Sequence, residues 1–151
     1  MVSNYSANVN KITWWTDYDV PVRHYFTDIH ETESLMKGSM MMRVVDFEGY
    51  CRSITTPEET TEKVTIELSD DQCPWNNGVY TLVPDGGKLT AERSDSKPDI
   101  SLNAFQLSEV IGGVTPPTLL RSLQEINCDA KTAGRLEGIF PADAFVSYIR
   151  F

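Results

Sequence analysis

The sequence is short of basic residues, of cysteine and of long apolar runs, and each shortage removes a class of function. Its 13 Lys and Arg residues stand against 22 Asp and Glu, which gives a formal net charge of -9. This balance repels nucleic-acid phosphates and anionic membrane surfaces. The three cysteines are far apart without a C-x-x-C pair, so we expect reduced thiols in the cytoplasm. No apolar run approaches the ~20 residues of a membrane span, and no signal-peptide pattern is visible.

Candidate catalytic and metal-binding sets are also missing. His24 and His30 have no carboxylate or thiol at ligand spacing, so we expect no metal site. Cys51 lies on the apolar side of a predicted helix, which favours buried packing over a nucleophilic role. The paired acids at 70–71 are interpreted as a solvated turn. The Asp-Gly-Gly-Lys sequence at 85–88 is interpreted as a hairpin turn, because a phosphate loop needs a helix behind it and a strand follows here.

A series of short strands is the best-defined part of the sequence. Val64, Ile66 and Leu68 alternate with polar residues, which places three apolar side chains on one face of a sheet. We interpret the four strands from Val64 to Leu102 as an antiparallel β-meander. The predicted strands, including one that precedes the meander, are at 40–45, 64–69, 78–83, 88–94 and 99–102.

Four helices are predicted around these strands. Asp46 is the N-cap of the first, and Asn103 with Gln106 forms a capping box at the start of the second. Thr115 caps the third, which has a proline at its first position. The fourth is predicted at 129–140. The residues expected to pack as one layer between sheet and helices are Ile66, Leu68, Leu82, Leu89, Ile100, Leu119, Leu120, Leu123 and Ile126.

The N-terminal part of the chain has a different character. The segments 12–15 and 20–26 are rich in aromatic and β-branched residues, which predicts a pair of strands. They have little apolar material nearby to pack against, so we interpret residues 1–38 as trailing strands and a linker, and residues 39–151 as a separate domain. The predicted fold class is α+β: a mainly antiparallel sheet of about five strands covered by helices, plus this N-terminal strand pair.

Three short motifs occur in order in the second domain. They are Met42-Arg43-Val44-Val45-Asp46, Cys73-Pro74-Trp75-Asn76-Asn77-Gly78-Val79-Tyr80 and Lys97-Pro98-Asp99-Ile100-Ser101-Leu102. Their order and spacing resemble the C-terminal domain of the Eis-like family of GNAT acetyltransferases, in which two GNAT-type domains precede a sterol-carrier-protein-like domain. The resemblance covers about residues 40 to 151, and residues 14–29 resemble the closing strands of the second GNAT-type domain. It implies that this chain is a C-terminal fragment.

The resemblance also implies a function. The domain is expected to serve an acetyl-CoA-dependent N-acetyltransferase by shaping the site of the acceptor amine and by holding a homo-oligomer together. In that family the C-terminal carboxylate, here that of Phe151, is the proposed catalytic base in the active site of the first GNAT-type domain. The resemblance implies no cofactor in this chain and acetyl-CoA in the full-length enzyme. The sequence at 135–140 lacks the last small residue of the family's pyrophosphate-binding turn and is predicted to be helical, so we expect the isolated chain to be inactive.

Two other functions stay open at this point. Sterol-carrier-like folds elsewhere enclose apolar tunnels, so a lipid-binding module is one alternative, and an apolar cavity under the sheet would support it. A purely structural interaction domain is the other. This second alternative is suggested by four aromatic residues in the N-terminal part, Trp14, Trp15, Tyr25 and Phe26.

Overall fold

The computed structural model divides the chain by its contacts into two units, Met1–Met40 and Met41–Phe151. Each unit has its own set of internal contacts and is described separately. The residues that the structure describes are 11–14, 22–25, 33, 35, 42–113 and 115–142.

The described residues of the first unit contain a short helix instead of the predicted strands. Val22–Tyr25 forms a 3-10 helix, and residues 11–14 have no regular structure. Trp14 packs edge-on against Tyr25 with ring centroids 5.4 Å apart. The predicted strand pair is therefore wrong for these residues, and the rest of both segments lies outside the described residues. Aromatic content favours a strand only where neighbouring strands supply a surface to pack on, and here two aromatic rings pack on each other.

The second unit contains one four-stranded mixed sheet. Its strands are β1 (Val64–Ser69), β2 (Gly78–Asp85), β3 (Lys88–Arg93) and β4 (Ile100–Asn103), arranged in the order β3-β2-β1-β4. β2 is antiparallel to both β1 and β3, whereas β4 runs parallel to β1. The predicted meander is correct for the first three strands and wrong for the fourth. The sheet is not purely antiparallel and has four strands instead of about five.

The position of β4 depends on contacts that its own sequence does not reveal. The chain crosses over after β3, and Asp99 anchors the start of β4 against β1. The Asp99 amide donates to the Thr65 carbonyl at 2.8 Å, and the Thr65 amide donates to Asp99 Oδ2 at 2.9 Å. This pair of hydrogen bonds sets β4 beside β1 rather than beside β3.

The predicted fifth strand is absent from the described part of its segment. Residues 42–45 have no regular structure, and residues 40 and 41 lie outside the described residues. The carbonyls of Val44 and Val45 accept hydrogen bonds from the side chains of Asn76 and Trp75. Side chains thus satisfy backbone groups that a neighbouring strand would otherwise pair with.

The hairpin between β2 and β3 is confirmed. Gly86 and Gly87 have φ angles of 52° and 81°, a region of backbone conformation in which any larger side chain is strained. A strand follows the turn, so the Asp-Gly-Gly-Lys sequence is a chain reversal within a hairpin.

The helices are α1 (Phe47–Ser53), α2 (Ala104–Gly112), α3 (Pro117–Ser122) and α4 (Ala130–Ile139). The predicted caps of α1 and α2 are confirmed, since Asp46 accepts from the Gly49 amide and Asn103 with Gln106 forms a full capping box. α3 begins one residue later than predicted, with Pro116 as its N-cap. None of the described helices is long and apolar enough to cross a membrane.

The apolar face of the sheet is buried under these helices, with α1 against β3, α2 against β4 and α4 against β1. Two residues of the predicted layer are instead exposed, Leu119 at 46% and Leu123 at 59%. α3 ends at Ser122, and Gln124 has a φ of 63°, so the chain leaves the helix before a long apolar stripe forms. The predicted core residues that are buried are Ile66, Leu68, Leu82, Leu89, Ile100, Leu120 and Ile126.

A pair of leucine substitutions tests which residues of the predicted layer belong to the packed core. Leu82 is fully buried in β2 and Leu123 is 59% exposed. We expect Leu82→Ala to lower the free energy of unfolding by about 2–5 kcal/mol, because it leaves a cavity in a packed layer. Leu123→Ala should change it by no more than about 0.5 kcal/mol. Urea unfolding followed by circular dichroism measures both, and equal losses would contradict the packing described here.

Candidate functional site

Two of the sequence motifs meet on one side of the second unit. Residues 42–46, here called the incoming segment, lead into α1. The connection between β1 and β2 contains the 3-10 helix Pro74–Asn76 and lies against this segment. The side chains that join the two stretches form an arrangement that we call the clasp. Its members are Arg43, Asp70, Trp75 and Asn76.

Asn76 makes the central contacts of the clasp. Its side chain is buried, with 4% of the residue exposed. Asn76 Nδ2 donates to the carbonyls of Val44 at 3.3 Å and Val45 at 3.2 Å, and Asn76 Oδ1 accepts from the Phe47 amide at 3.0 Å. One side-chain amide therefore satisfies three backbone groups at the start of α1. Trp75 adds a hydrogen bond from Nε1 to the Val45 carbonyl at 2.6 Å.

Asp70 makes the second set of contacts. One of its carboxylate oxygens accepts from the amides of Gln72 at 2.9 Å and Cys73 at 2.8 Å, and Arg43 pairs with the same oxygen. Burial by itself raises the pKa of the Asp70 carboxyl. The two amide donors and the Arg43 guanidinium outweigh burial and hold the pKa below its ordinary value. Asp70 is thus a carboxylate fixed by donors, which suits structural anchoring better than proton transfer.

Arg93 completes the surroundings of the clasp. It donates to the carbonyls of Asn77 at 3.1 Å and Trp75 at 2.8 Å, and its guanidinium carbon lies 4.9 Å from the centroid of the Tyr80 ring. Gly78 has a φ of 140°, and a Cβ there would lie 2.9 Å from Arg93 Nη1. The glycine, Asn76 and the tryptophan of the motif at 73–80 therefore have structural roles.

The interpretation of residues 70–71 as a solvated turn is wrong for Asp70. Only 5% of Asp70 is exposed, whereas Asp71 is exposed as expected. The relevant local pattern is an aspartate three residues before Cys73 in a predicted turn, since Asp side chains often accept amides two and three residues further on. No comparable local pattern points to the contacts of Arg93.

The sequence at 135–140 does not form a phosphate-binding turn. Arg135 to Ile139 lie within α4, which confirms the predicted helix. Arg135 donates to the Lys63 carbonyl at 2.7 Å and to Thr132 Oγ1 at 3.0 Å, and it pairs with Asp99 at 3.4 Å. A guanidinium engaged in this way, on a regular helix, does not fit the pyrophosphate of acetyl-CoA.

The surface grooves among the described residues include two of similar volume. One, of about 310 Å³, lies between α4 and residues 59–62. The other, of about 320 Å³, lies between the incoming segment, α1 and Ile111. Neither is lined by a strand residue, so the lipid-binding alternative gains no support from them.

The remaining candidate residues are not brought together. Cys51 is fully buried, and burial raises the pKa of its thiol to about 12, so the predicted packing role is confirmed. His24 is exposed in the first unit, and His30 lies outside the described residues. Within the described ranges no three His, Cys, Asp or Glu side chains are placed to hold a metal ion. Phe151 also lies outside these ranges, so its catalytic role stays a prediction.

Comparison with known proteins finds a family model and a curated relative that match this chain. The family model described as "Sterol carrier protein domain" matches residues 48–146. A curated relative from Streptomyces avermitilis, described as an "Uncharacterized N-acetyltransferase", is 30% identical over 93 residues. That alignment covers 61% of this chain and 22% of the relative.

Solved structures of low sequence identity share the fold. A GCN5-related N-acetyltransferase from Anabaena variabilis matches with a TM-score of 0.63 at 18% identity. One from Kribbella flavida gives 0.61 at 20%. Eis1 from Mycobacterium abscessus gives 0.55 at 22%. Each match covers 68% of this chain and only 26% of the solved chain.

The clasp predicts a specific dependence of stability on pH. The pKa of Asp70 is lowered by folding, so its carboxylate stabilises the fold at pH values above its unfolded pKa of about 3.9, and this contribution is lost as the pH falls through the folded value. We expect Asp70→Asn to lower the free energy of unfolding at neutral pH by about 1–3 kcal/mol. The difference in the free energy of unfolding between Asp70→Asn and the unsubstituted chain should become smaller below about pH 3.9.

Asp71→Asn is the matched control, because Asp71 is the exposed neighbour of the same charge. Its effect should stay within about 0.5 kcal/mol at every pH. Urea unfolding at a series of pH values measures both variants. A difference between Asp70→Asn and the unsubstituted chain that does not change with pH would contradict the charged role of Asp70.

Proposed function

This chain belongs to the sterol carrier protein domain family, and from that membership we propose that it is the C-terminal domain of an Eis-like, acetyl-CoA-dependent N-acetyltransferase. The observation that carries the proposal is the coverage of its matches. The chain spans only 22% of its curated N-acetyltransferase relative and 26% of the matched N-acetyltransferase structures. In this proposal the catalytic domains precede residue 41 in the same polypeptide.

The described side chains support a non-catalytic role for this domain. The buried carboxylate of Asp70 is held by three donors, and the thiol of Cys51 has a raised pKa and no exposed surface. Arg135 is engaged by backbone and side-chain acceptors on α4. A group that transfers protons or attacks a thioester needs access to the substrate, which these residues lack.

The domain would act on the reaction by shaping the acceptor site and by holding the homo-oligomer together. The formal net charge of -9 favours approach of a cationic amine, which is the protonated form of an acetyl acceptor. The acetyl-CoA itself would be held by the preceding domains, since the residues at 135–140 do not fit its pyrophosphate.

The C-terminal carboxylate of Phe151 would take part in the chemistry as a base. A free α-carboxyl has a pKa of roughly 3.5, too low for efficient proton abstraction near neutral pH. Removal from water raises the pKa of a carboxyl group, so this role requires a dry site in the full-length enzyme. The apolar residues that precede the carboxylate, among them Tyr148 and Ile149, are suited to such a site.

Isothermal titration calorimetry tests whether acetyl-CoA binds to this domain or to the rest of the polypeptide. We expect the 151-residue chain to show no saturable binding of acetyl-CoA. The complete product of the reading frame that encodes it should bind acetyl-CoA and transfer acetyl groups to amines. Binding by the chain alone would contradict the assignment of the cofactor site, and a complete product without acetyltransferase activity would overturn the proposed function.

A one-residue extension tests the role of Phe151. Adding a glycine after Phe151 in the full-length enzyme moves the carboxylate by about 3.5 Å. Because proton transfer requires close placement, kcat should fall by roughly a hundredfold or more. Phe151→Tyr keeps the carboxylate in place and should leave kcat nearly unchanged. If the extended enzyme kept both kcat and its pH profile, the catalytic role of Phe151 would be wrong.

A further inference from the structure

Glu109 is a partly buried carboxylate on α2. Its Oε2 atom is buried and has no hydrogen-bond partner among the described residues. A carboxylate oxygen that is removed from water without gaining a donor destabilises the charged form of its group. The charged form of Glu109 therefore opposes the folded position of α2, because the same oxygen regains water when the helix detaches from the sheet.

A second carboxylate lies on the same side of α2. Gln106 Nε2 donates to the Glu125 carbonyl at 2.6 Å, which holds the connection between α3 and α4 against the start of α2. Gln106 and Glu109 are three residues apart, so they lie on one face of the helix. Glu125 thus brings a second negative charge to the face of α2 that carries Glu109.

The elements packed against α2 bring no cation to Glu109 within the part of the chain that the structure describes. β4, on which α2 packs, consists of the uncharged residues Ile100–Asn103. Arg121, near the end of α3, donates to the Cys128 carbonyl at 2.9 Å. Asp129, at the other end of the connection, caps α4. Neither of the two carboxylates is therefore neutralised by its surroundings.

We propose that Glu109 and Glu125 form a proton-sensitive contact, which loosens the attachment of α2 at neutral pH and tightens it in mild acid. The hydrogen bond from Gln106 holds the connection at either pH, because an amide does not titrate. A protonated Glu109 no longer repels Glu125, and it gains an O–H donor for which a neighbouring carboxylate is an acceptor. This contact belongs to the domain itself and does not depend on the proposed function.

The direction of the pH dependence follows from the environment of Glu109. Burial and, after it, the charge of Glu125 raise the pKa of Glu109 above its ordinary value. The folded state therefore binds this proton more tightly than the unfolded state does. The resulting stabilisation is complete below the unfolded pKa of about 4.3 and is lost as the pH rises through the folded value. Asp70 has the opposite sign and acts at lower pH.

Hydrogen–deuterium exchange of the 151-residue chain measures how tightly α2 is attached. Protection factors, corrected for the intrinsic pH dependence of exchange, report the free energy of opening. The amides of Leu107 and Val110 are the probes, since both residues are buried on α2. We expect their protection to fall several-fold as the pH rises from about 4.5 to 7.5.

Three glutamine substitutions identify the groups responsible. Glu109→Gln should raise protection at about pH 7.5 several-fold and remove its decline with pH. Glu125→Gln should raise it less, because the buried oxygen of Glu109 remains. Glu125 is exposed, so this variant tests the contact even if Glu109→Gln does not fold. Glu92→Gln, at an exposed position on β3, removes one charge elsewhere and should leave the decline intact.

The proposal fails under any of three results. Protection of α2 in the unsubstituted chain that does not change with pH would overturn it. So would a decline that persists in Glu109→Gln, or protection that Glu125→Gln leaves unchanged. An equal effect of Glu92→Gln and Glu109→Gln would assign the pH dependence to the net charge of the domain, and would also overturn the contact.

Discussion

The second unit depends on one buried amide side chain. Asn76 donates to two carbonyls of the incoming segment and accepts from the first amide of α1, and within the described part of the chain these groups are not paired in a strand. Buried backbone groups that stay unpaired cost about 1–3 kcal/mol each, so this side chain stabilises the position of the segment, together with the Trp75 indole and the ion pair between Arg43 and Asp70. With the segment in place, α1 is fixed over the sheet and Phe47 packs edge-on against Tyr80, with ring centroids 5.2 Å apart.

The features that the sequence predicted well are those with a local cause. The caps at Asp46 and Asn103 act on amides within three residues of themselves, and Gly86 with Gly87 supplies the backbone angles of its own turn. The features that it missed depend on distant partners. β4 is placed by hydrogen bonds between Asp99 and Thr65, and the incoming segment is held by Asn76. Alternation of apolar residues shows that a strand has one buried face, but it does not show which strand lies beside it.

The same distinction applies to the candidate site. The motif at 73–80 is visible in the sequence as a pattern, whereas its physical role lies in the hydrogen bonds of Trp75 and Asn76 to the carbonyls of Val44 and Val45. Asp70 and Asp71 are adjacent and chemically identical, yet Asp70 is buried and Asp71 is exposed. The sequence alone does not distinguish them. Their difference arises from the direction of each side chain relative to the loop. The strongest functional resemblance in the sequence therefore identifies a structural arrangement, and the proposed chemistry lies elsewhere in the polypeptide.

The parallel pairing of β4 with β1 also affects how the domain folds. β1, β2 and β3 join through short connections, so they can associate early with little loop-closure entropy. β4 must find β1 across a separation of 34 residues, as the hydrogen bond between Thr65 and Asp99 shows. Contacts between residues far apart in sequence slow folding, because the closure entropy is lost before the contact is gained. Until β4 arrives, one edge of β1 is unpaired, and an unpaired apolar edge is the surface most open to intermolecular association during synthesis.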